Sequence, residues 1–130
     1  MSFAAATAAC PCGTGRPYAG CCGRLHDGQP AATAEELMRS RYAAYALGRP
    51  DHVLRTWHPR TRPDDLTGID ATTWLGLEVV GTVDGGPDDE TGTVEFRARF
   101  ATQRGEATLH ETSRFERRGG HWVYVDGDLS

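Results

Sequence analysis

The second half of the chain alternates between hydrophobic and polar residues with the two-residue period of a β-strand. Between Thr93 and Phe100 an apolar residue stands at nearly every second position, which is typical of a strand with one buried face. Three further segments have similar strand character, and these are residues 75–80, 108–115 and 121–125. Turn-forming residues separate them. The pattern therefore predicts four antiparallel strands between residues 74 and 126.

The region before these strands has helical periodicity instead. Thr33 followed by Glu36 forms a capping box, which marks a helix start. Apolar residues then recur at helical spacing as far as Gly48, and the stripe contains Leu37, Tyr42, Tyr45 and Leu47. Pro50 suits the first turn of a second, short helix over residues 50–56. Two helices followed by four strands is the order of an α+β fold.

Both patterns together predict one core between the helices and the apolar face of a curved sheet. A chain of 130 residues with 38% hydrophobic content is long enough for one such core. The side chains expected to point inward are Leu37, Tyr42, Leu54, Val94, Phe96, Phe100 and Phe115.

Charge and hydropathy exclude two classes of partner. A net charge of −4 argues against a general nucleic-acid-binding surface, and no apolar run approaches the ~20 residues of a membrane span. Residues 1–9 have neither the basic start nor the apolar centre of a secretory signal, so we expect them to be a flexible N-terminus. A cytoplasmic location is the resulting expectation.

All four cysteines fall between Cys10 and Cys22, in two short pairs. Disulfides within each pair would make very small rings, and cross-pairs such as Cys10–Cys21 would crowd two bonds into one loop. Four thiolates joined by a glycine-rich turn suit tetrahedral zinc instead. Zinc binding is the favoured interpretation, and a redox or disulfide role is the alternative.

A site with four cysteine ligands is closed, which is typical of structural rather than catalytic zinc. His26 lies four residues beyond Cys22 and is the only competing ligand nearby. Glycines at positions 13, 15, 20 and 23 allow the tight turns that the loop needs. Because so short a loop has little core of its own, we expect metal removal to disorder residues 10–26 and to leave residues 33–126 folded.

The cysteine segment resembles the SEC-C motif, a zinc-binding element found at the C-terminus of the bacterial translocation ATPase SecA. The residues that carry this resemblance are Cys10-Pro-Cys12-Gly and Tyr18-Ala-Gly-Cys21-Cys22-Gly. The rest of the chain is similar to the YchJ family of small bacterial proteins. The matching segments are Leu25-His26-Asp27-Gly28, Leu37-Met38-Arg39-Ser40-Arg41-Tyr42, Thr56-Trp57-His58-Pro59, Trp74-Leu75-Gly76-Leu77 and His110-Glu111-Thr112-Ser113-Arg114-Phe115.

The resemblance implies a zinc module followed by a larger domain. Its zinc ligands would be Cys10, Cys12, Cys21 and Cys22. The motif would occupy residues 10–26, and residues 33–128 would form a nuclear-transport-factor-2-like (NTF2-like) domain, a cone of helices on a curved sheet. The resemblance implies no established reaction.

The first functional hypothesis is an interaction module that presents the zinc segment to a partner. Arginine and tyrosine side chains often anchor interfaces, and the candidates on the rim of the motif are Arg16, Tyr18, Arg24 and His26. The relationship to SecA-like proteins suggests a protein or the ribosome as the partner. The alternative roles are local: Arg16 would offset the thiolate charge, and Tyr18 would pack the motif onto the larger domain.

The second hypothesis is a small-molecule-binding or enzymatic domain that uses a pocket in the cone. The candidate pocket residues are Trp57, His58, Trp74, His110, Glu111 and Arg114, with Asp126, Arg39 and Arg41 as further polar groups. A histidine and a carboxylate can perform general acid–base chemistry, but no nucleophile has an identifiable partner. His110 and Glu111 are adjacent on a strand, so at most one of them faces a given pocket. We therefore favour structural roles over catalysis. A cavity with a converging histidine, carboxylate and arginine would support the pocket hypothesis.

Overall fold

The computed structural model describes residues 8–130. Three helices come first, and they are α1 (Cys22–His26), α2 (Ala34–Leu47) and α3 (Pro50–Arg55). Four strands follow, and they are β1 (Trp74–Asp84), β2 (Thr91–Thr102), β3 (Gly105–Arg118) and β4 (His121–Leu129). Short 3-10 turns occupy Tyr18–Gly20 and Ile69–Ala71. Within residues 8–130 no helix has the length and hydropathy needed to cross a membrane.

The expected flexible N-terminus falls largely on residues 1–7, which lie outside the described part of the chain. Ala8 and Ala9, the last two residues of that range, are paired with the cysteine loop. The carbonyl of Ala8 accepts a hydrogen bond from the Tyr18 N–H at 2.8 Å, and Ala9 forms a β-bridge with Pro17.

The four strands form one antiparallel meander in the order β1-β2-β3-β4. The register shifts twice in β1, beside Leu75 and Val80, and once in the pairing of β3 with β4 after Arg114. Each shift is a bulge that increases the local twist of a strand and bends it. The predicted strands are all present, and each is longer than the sequence pattern indicated.

The caps of α2 are those that the sequence predicts. The Thr33 side chain accepts a hydrogen bond from the Glu36 N–H at 3.1 Å, and Gly48 ends the helix in the left-handed conformation at φ 70°. The inclusion of Leu47 in the buried helical stripe is wrong, because its side chain is 48% exposed. Leu47 is the last residue of α2, next to the Gly48 cap.

The predicted inner face of the sheet is confirmed. Val94, Phe96 and Ala98 of β2 are buried, while the intervening Arg97 and Arg99 are exposed. Leu37, Tyr42 and Phe115 are also buried, whereas Leu54 and Phe100 are only partly covered.

The cysteine segment and the larger domain share one hydrophobic core. The four cysteines, Tyr18 and Leu25 belong to the same buried cluster as Leu37 of α2. The five-residue helix α1 begins at the second cysteine pair, with Cys22 as its first residue. The connection after α1 is fixed as well, because the Trp122 indole N–H donates to the Ala32 carbonyl at 3.3 Å.

Replacement of Phe96 tests the assignment of the two faces of the sheet. Phe96→Ala should lower the free energy of unfolding by about 3 kcal/mol, because it empties a packed aromatic position. Arg97→Ala on the opposite face is the matched control and should cost less than about 1 kcal/mol, as exposed ion pairs contribute little. Urea denaturation measures both. Equal costs for the two variants would contradict the assignment.

Candidate metal centre and interior cavity

The four cysteine side chains converge on one buried point. Their sulfur atoms all lie within 4.8 Å of one another, and the Sγ atoms of Cys12 and Cys21 are 3.5 Å apart. All four side chains are buried, and none forms a disulfide. A cluster of four sulfurs at such separations could hold one metal ion.

Local backbone structure brings the two cysteine pairs together. The Cys10 N–H donates to the Arg16 carbonyl at 2.8 Å, which closes the loop between the pairs. Gly13 lies in the left-handed region at φ 88°, where a side chain would be strained. Cys21 then precedes α1 as its N-cap, and Cys22 is the first residue of that helix. A β-carbon at Gly23 would lie 2.7 Å from the Tyr18 carbonyl oxygen, so glycine permits this close approach.

Hydrogen bonds within the buried sulfur cluster raise the pKa of two thiols and lower that of Cys12. The hydrogen bond with Cys12, together with burial, raises the pKa of the Cys10 thiol to about 11. Contact with the Cys10 and Cys12 sulfurs, together with burial, also raises the pKa of Cys22. Four adjacent thiolates repel one another, and a bound divalent cation removes that penalty.

Polar groups from two directions support the loop. The Thr14 hydroxyl lies 3.2 Å from the Cys21 sulfur, within hydrogen-bonding distance of a thiolate. Arg39 of α2 donates to the Cys12 carbonyl at 2.7 Å and pairs with Glu35 at 3.0 Å. Arg24 donates to the Cys21 carbonyl at 3.2 Å rather than to a sulfur. Arg39 thus joins the larger domain to the loop, which its sequence position did not indicate.

A separate cavity of about 290 Å³ lies between α2 and the concave face of the sheet. Its lining is mainly aromatic and apolar. The polar and aromatic side chains at its wall include Arg41, Tyr45, Trp57, Trp74, Glu111 and Tyr124.

Comparison with known proteins assigns both parts of the chain. The model of the YchJ middle NTF2-like domain matches residues 33–127, and the model of the SEC-C motif matches residues 7–24. The chain belongs to the YchJ family. Its helices on a four-stranded antiparallel sheet are therefore an NTF2-like domain, with a SEC-C motif at the N-terminal side.

Relatives of similar length support this assignment. A UPF0225 protein of Streptomyces coelicolor is 54% identical over 124 residues, covering 95% of this chain and 97% of the relative. A UPF0225 protein of Chromobacterium violaceum is 50% identical over 127 residues, covering 94% and 93% of the two chains.

Two solved structures have the same fold. The solution structure of a SEC-C motif containing protein from Rhodopseudomonas palustris has a TM-score of 0.80 at 39% identity and covers 95% of this chain and 99% of its own. The crystal structure of a SEC-C motif containing protein from Psychrobacter arcticus has a TM-score of 0.83 at 31% identity, with coverages of 98% and 86%.

Only two of the four residues predicted on the accessible rim of the SEC-C motif are exposed to solvent. Arg16 is exposed and Arg24 is partly exposed, but Tyr18 is 4% and His26 is 3% exposed. The placement of Tyr18 and His26 on an accessible rim is therefore wrong, because both side chains point into the junction with the NTF2-like domain. Packing of Tyr18 against that domain was the alternative that the sequence left open.

The junction contains two histidines whose tautomers are set by their partners. His26 Nε2 donates to the Ser40 carbonyl at 2.8 Å, so its Nδ1 accepts from the Tyr18 hydroxyl at 2.6 Å. The Ser40 hydroxyl donates to the Leu37 carbonyl, so it accepts from His52 Nε2 at 2.9 Å. His52 Nδ1 in turn accepts from Arg55 at 3.0 Å. Both imidazoles are therefore neutral, and protonation would break one bond of each.

The structure brings together only half of the candidate pocket residues. Trp57, Trp74 and Glu111 line the cavity. His110 points to the opposite face of the sheet, 2.7 Å from Glu95, which agrees with the expected alternation of β3. Its inclusion in the pocket is wrong.

The other two candidates also lie outside the cavity, so their inclusion is wrong as well. Arg114 pairs with Asp126 and with Asp128 on the outer face, the latter at 2.7 Å. The His58 ring is buried, but its Nδ1 accepts a hydrogen bond from the Arg60 N–H at 3.0 Å, within its own loop. The histidine that acid–base chemistry would need is thus absent from the described cavity wall.

Arg41 is the one positively charged side chain among the described residues that line the cavity. It lies on the same side of α2 as Met38 and Tyr45, three and four residues away, so helical spacing places all three at the cavity. In the sequence Arg41 was only one of several further polar candidates, and its burial is unusual for an arginine. Tyr45 and Tyr124 were not recognised as pocket residues.

The buried junction predicts a decrease in stability at acidic pH. Burial lowers the pKa of His52 from 6.5 to about 3, and the nearby guanidinium of Arg55 acts in the same direction. The unfolded chain therefore binds a proton below pH 6.5 that the folded chain does not, so stability is lost as the pH falls. Between pH 7 and pH 5 this single group should cost about 2 kcal/mol of unfolding free energy.

His52→Gln removes the titrating group and isolates its contribution. Any acid effect on the cysteine cluster is common to both proteins, so the difference between their pH profiles reports His52 alone. Chemical denaturation at several pH values should show a shallower decline for the variant. Parallel profiles for the two proteins would contradict the assignment of a neutral, buried His52.

Proposed function

We propose that this protein is a zinc-stabilised binding module. The observation that carries the proposal is the convergence of four buried sulfurs within 4.8 Å. Tetrahedral zinc with Zn–S bonds of about 2.3 Å needs sulfurs roughly 3.8 Å apart. Cys10, Cys12, Cys21 and Cys22 fit this requirement, and thiolates are ligands that zinc favours. When bound, the zinc would act as a structural cation that neutralises the thiolates.

A structural role follows from the closed donor set. Four cysteine ligands leave no open coordination position for a substrate or a water molecule. Ligands in the thiolate form also suit a reducing compartment, and on this basis we propose a cytoplasmic location.

The proposed interaction surface is the exposed side of the SEC-C loop. Gly15, Arg16, Pro17, Ala19 and Gly20 are all exposed, and the Arg16 side chain forms no ion pair within residues 8–130. Small residues around one free arginine allow close approach of a partner. A hollow of about 330 Å³ beside the loop, lined in part by Arg16, could receive an acidic side chain. The partner is therefore proposed to be a macromolecule with an acidic surface, either a protein or the ribosome.

The metal proposal predicts both stoichiometry and cooperativity. Purified protein should contain about one zinc ion per chain by elemental analysis. Cys21→Ser should lose the metal, whereas Thr14→Val, which removes a neighbouring hydroxyl but no ligand, should retain it. Two intact disulfides together with no zinc would contradict the proposal.

The shared core changes the expected result of metal removal. Tyr18, Leu25 and His26 are buried against the NTF2-like domain, so the SEC-C segment should not unfold alone. Chelation should lower the thermal midpoint of the whole chain in one cooperative transition, followed by circular dichroism. An unchanged midpoint for the sheet signal would show that the motif folds independently, as the sequence alone indicated.

The interaction surface is tested by charge reversal at matched positions. Arg16→Glu should weaken capture of a partner from lysate, or co-sedimentation with ribosomes, at least several-fold. Arg104→Glu makes the same charge change at the exposed β2–β3 turn and should have no effect. Zinc content serves as the folding control for both variants. Equal association of the two variants would place the contact elsewhere.

A further inference from the structure

Arg41 is a buried cation without a carboxylate partner. Its side chain is only 6% exposed, and it forms no ion pair with any acidic group in the described chain, residues 8–130. Burial lowers the pKa of its guanidinium to about 10, so the group is still charged at neutral pH. An unpaired buried charge is costly, and such groups are usually matched by an opposite charge. Within residues 8–130 no carboxylate contacts Arg41, although the charge of Glu111, at the wall of the same cavity, favours its charged form.

The orientation of Arg41 is fixed before any ligand arrives. Its Nη1 donates to the Val53 carbonyl at 2.7 Å and to the Thr56 hydroxyl at 2.8 Å. The guanidinium also lies over the rings of Trp57 and Tyr124, at 5.0 and 4.6 Å from their centroids. These contacts use only Nη1 and the flat face of the group. The donors on Nε and Nη2 have no hydrogen-bond partner in residues 8–130 and belong to a side chain that lines the cavity.

Neighbouring polar groups define which anion fits. Burial raises the pKa of Tyr45, and burial together with Glu111 raises that of Tyr124 to about 12, so both phenols stay neutral and do not balance Arg41. Glu111 also lines the cavity, where it accepts hydrogen bonds from the Ser113 and Tyr124 hydroxyls. Its negative charge would oppose a multiply charged anion such as a phosphate ester more strongly than a monoanion.

We propose that the cavity binds a small monoanionic carboxylic acid with an apolar ring, and that Arg41 holds the carboxylate. The planar guanidinium fork matches a carboxylate in geometry and charge. The aromatic lining suits a flat apolar body, and a volume of about 290 Å³ limits the ligand to small molecules. An adjoining hollow of about 220 Å³ shares Tyr45 and Trp74 with the cavity and offers a route of entry. This inference does not depend on the proposed zinc or interaction roles.

Tryptophan signals provide a position-specific readout. The chain has three tryptophans: Trp74 lines the cavity, Trp122 lines a second hollow, and Trp57 borders both. Benzoate added to the full-length, zinc-loaded protein should shift the NMR signals of the Trp57 and Trp74 indoles and leave that of Trp122 unchanged. Benzamide, its neutral analogue, should bind at least roughly tenfold more weakly because it lacks the charge-assisted contact. Phenyl phosphate should also bind more weakly than benzoate.

Two substitutions should act in opposite directions. Arg41→Met keeps an unbranched side chain and should abolish the preference for benzoate over benzamide. Glu111→Gln removes the opposing charge at nearly constant size and should strengthen benzoate binding, and phenyl phosphate binding by a larger factor. If Arg41→Met does not fold, the ligand pair in the unmodified protein and the Glu111→Gln variant still decide the question.

Three results would overturn the inference. The first is no shift of Trp57 or Trp74 with benzoate up to its solubility limit. The second is equal binding of benzoate and benzamide, and the third is weaker benzoate binding by Glu111→Gln. A shift of Trp122, alone or together with Trp57, but without Trp74 would count as the first of these results, because it would locate the binding outside the cavity.

Discussion

Convergence of four cysteine sulfurs on one buried point is the constraint on which the N-terminal part of this protein depends. The loop brings the Cys12 and Cys21 sulfurs to 3.5 Å, close enough for a hydrogen bond between a thiol and a thiolate. If all four cysteines were thiolates, their mutual repulsion would favour a cation at this point. A bound metal would cross-link the two cysteine pairs, which the turn and the start of α1 already hold together.

The cross-link matters beyond its own loop because the loop is part of the common core. Tyr18 and His26 reach across to α2, where Ser40 contacts His26 through its carbonyl and His52 through its hydroxyl. Arg39 adds a third connection by its hydrogen bond to the Cys12 carbonyl. Binding of a metal by the cysteine cluster would therefore be coupled to folding of the NTF2-like domain. The same helix carries Arg41 into the cavity, so the cysteine segment and the cavity contact different residues of α2.

Sequence reasoning predicted those features that local pattern determines. Strict alternation identified the faces of β2 and β3, including the separation of His110 from Glu111. The capping box located the start of α2. The cysteine cluster was recognised because four thiols within thirteen residues have few other uses.

The remaining features depend on contacts between residues far apart in the chain. Helix α1 was missed because five residues with a glycine have no detectable periodicity. From the sequence, Tyr18 and His26 were expected to be exposed, but both are buried against the rest of the folded chain. His58 appears suited to catalysis in the sequence, yet the segment after α3 pairs with β4 and turns its ring away from the cavity. Burial of Arg41 likewise requires Trp57 and Tyr124 to be in place.

Zinc K-edge X-ray absorption of the purified protein would decide whether the four cysteines form a closed zinc centre, because it reports the atoms bound to the metal. We expect four sulfur neighbours at about 2.3 Å and no nitrogen or oxygen ligand. A shell that contains nitrogen or oxygen, or fewer than four sulfurs, would contradict a closed centre formed by Cys10, Cys12, Cys21 and Cys22.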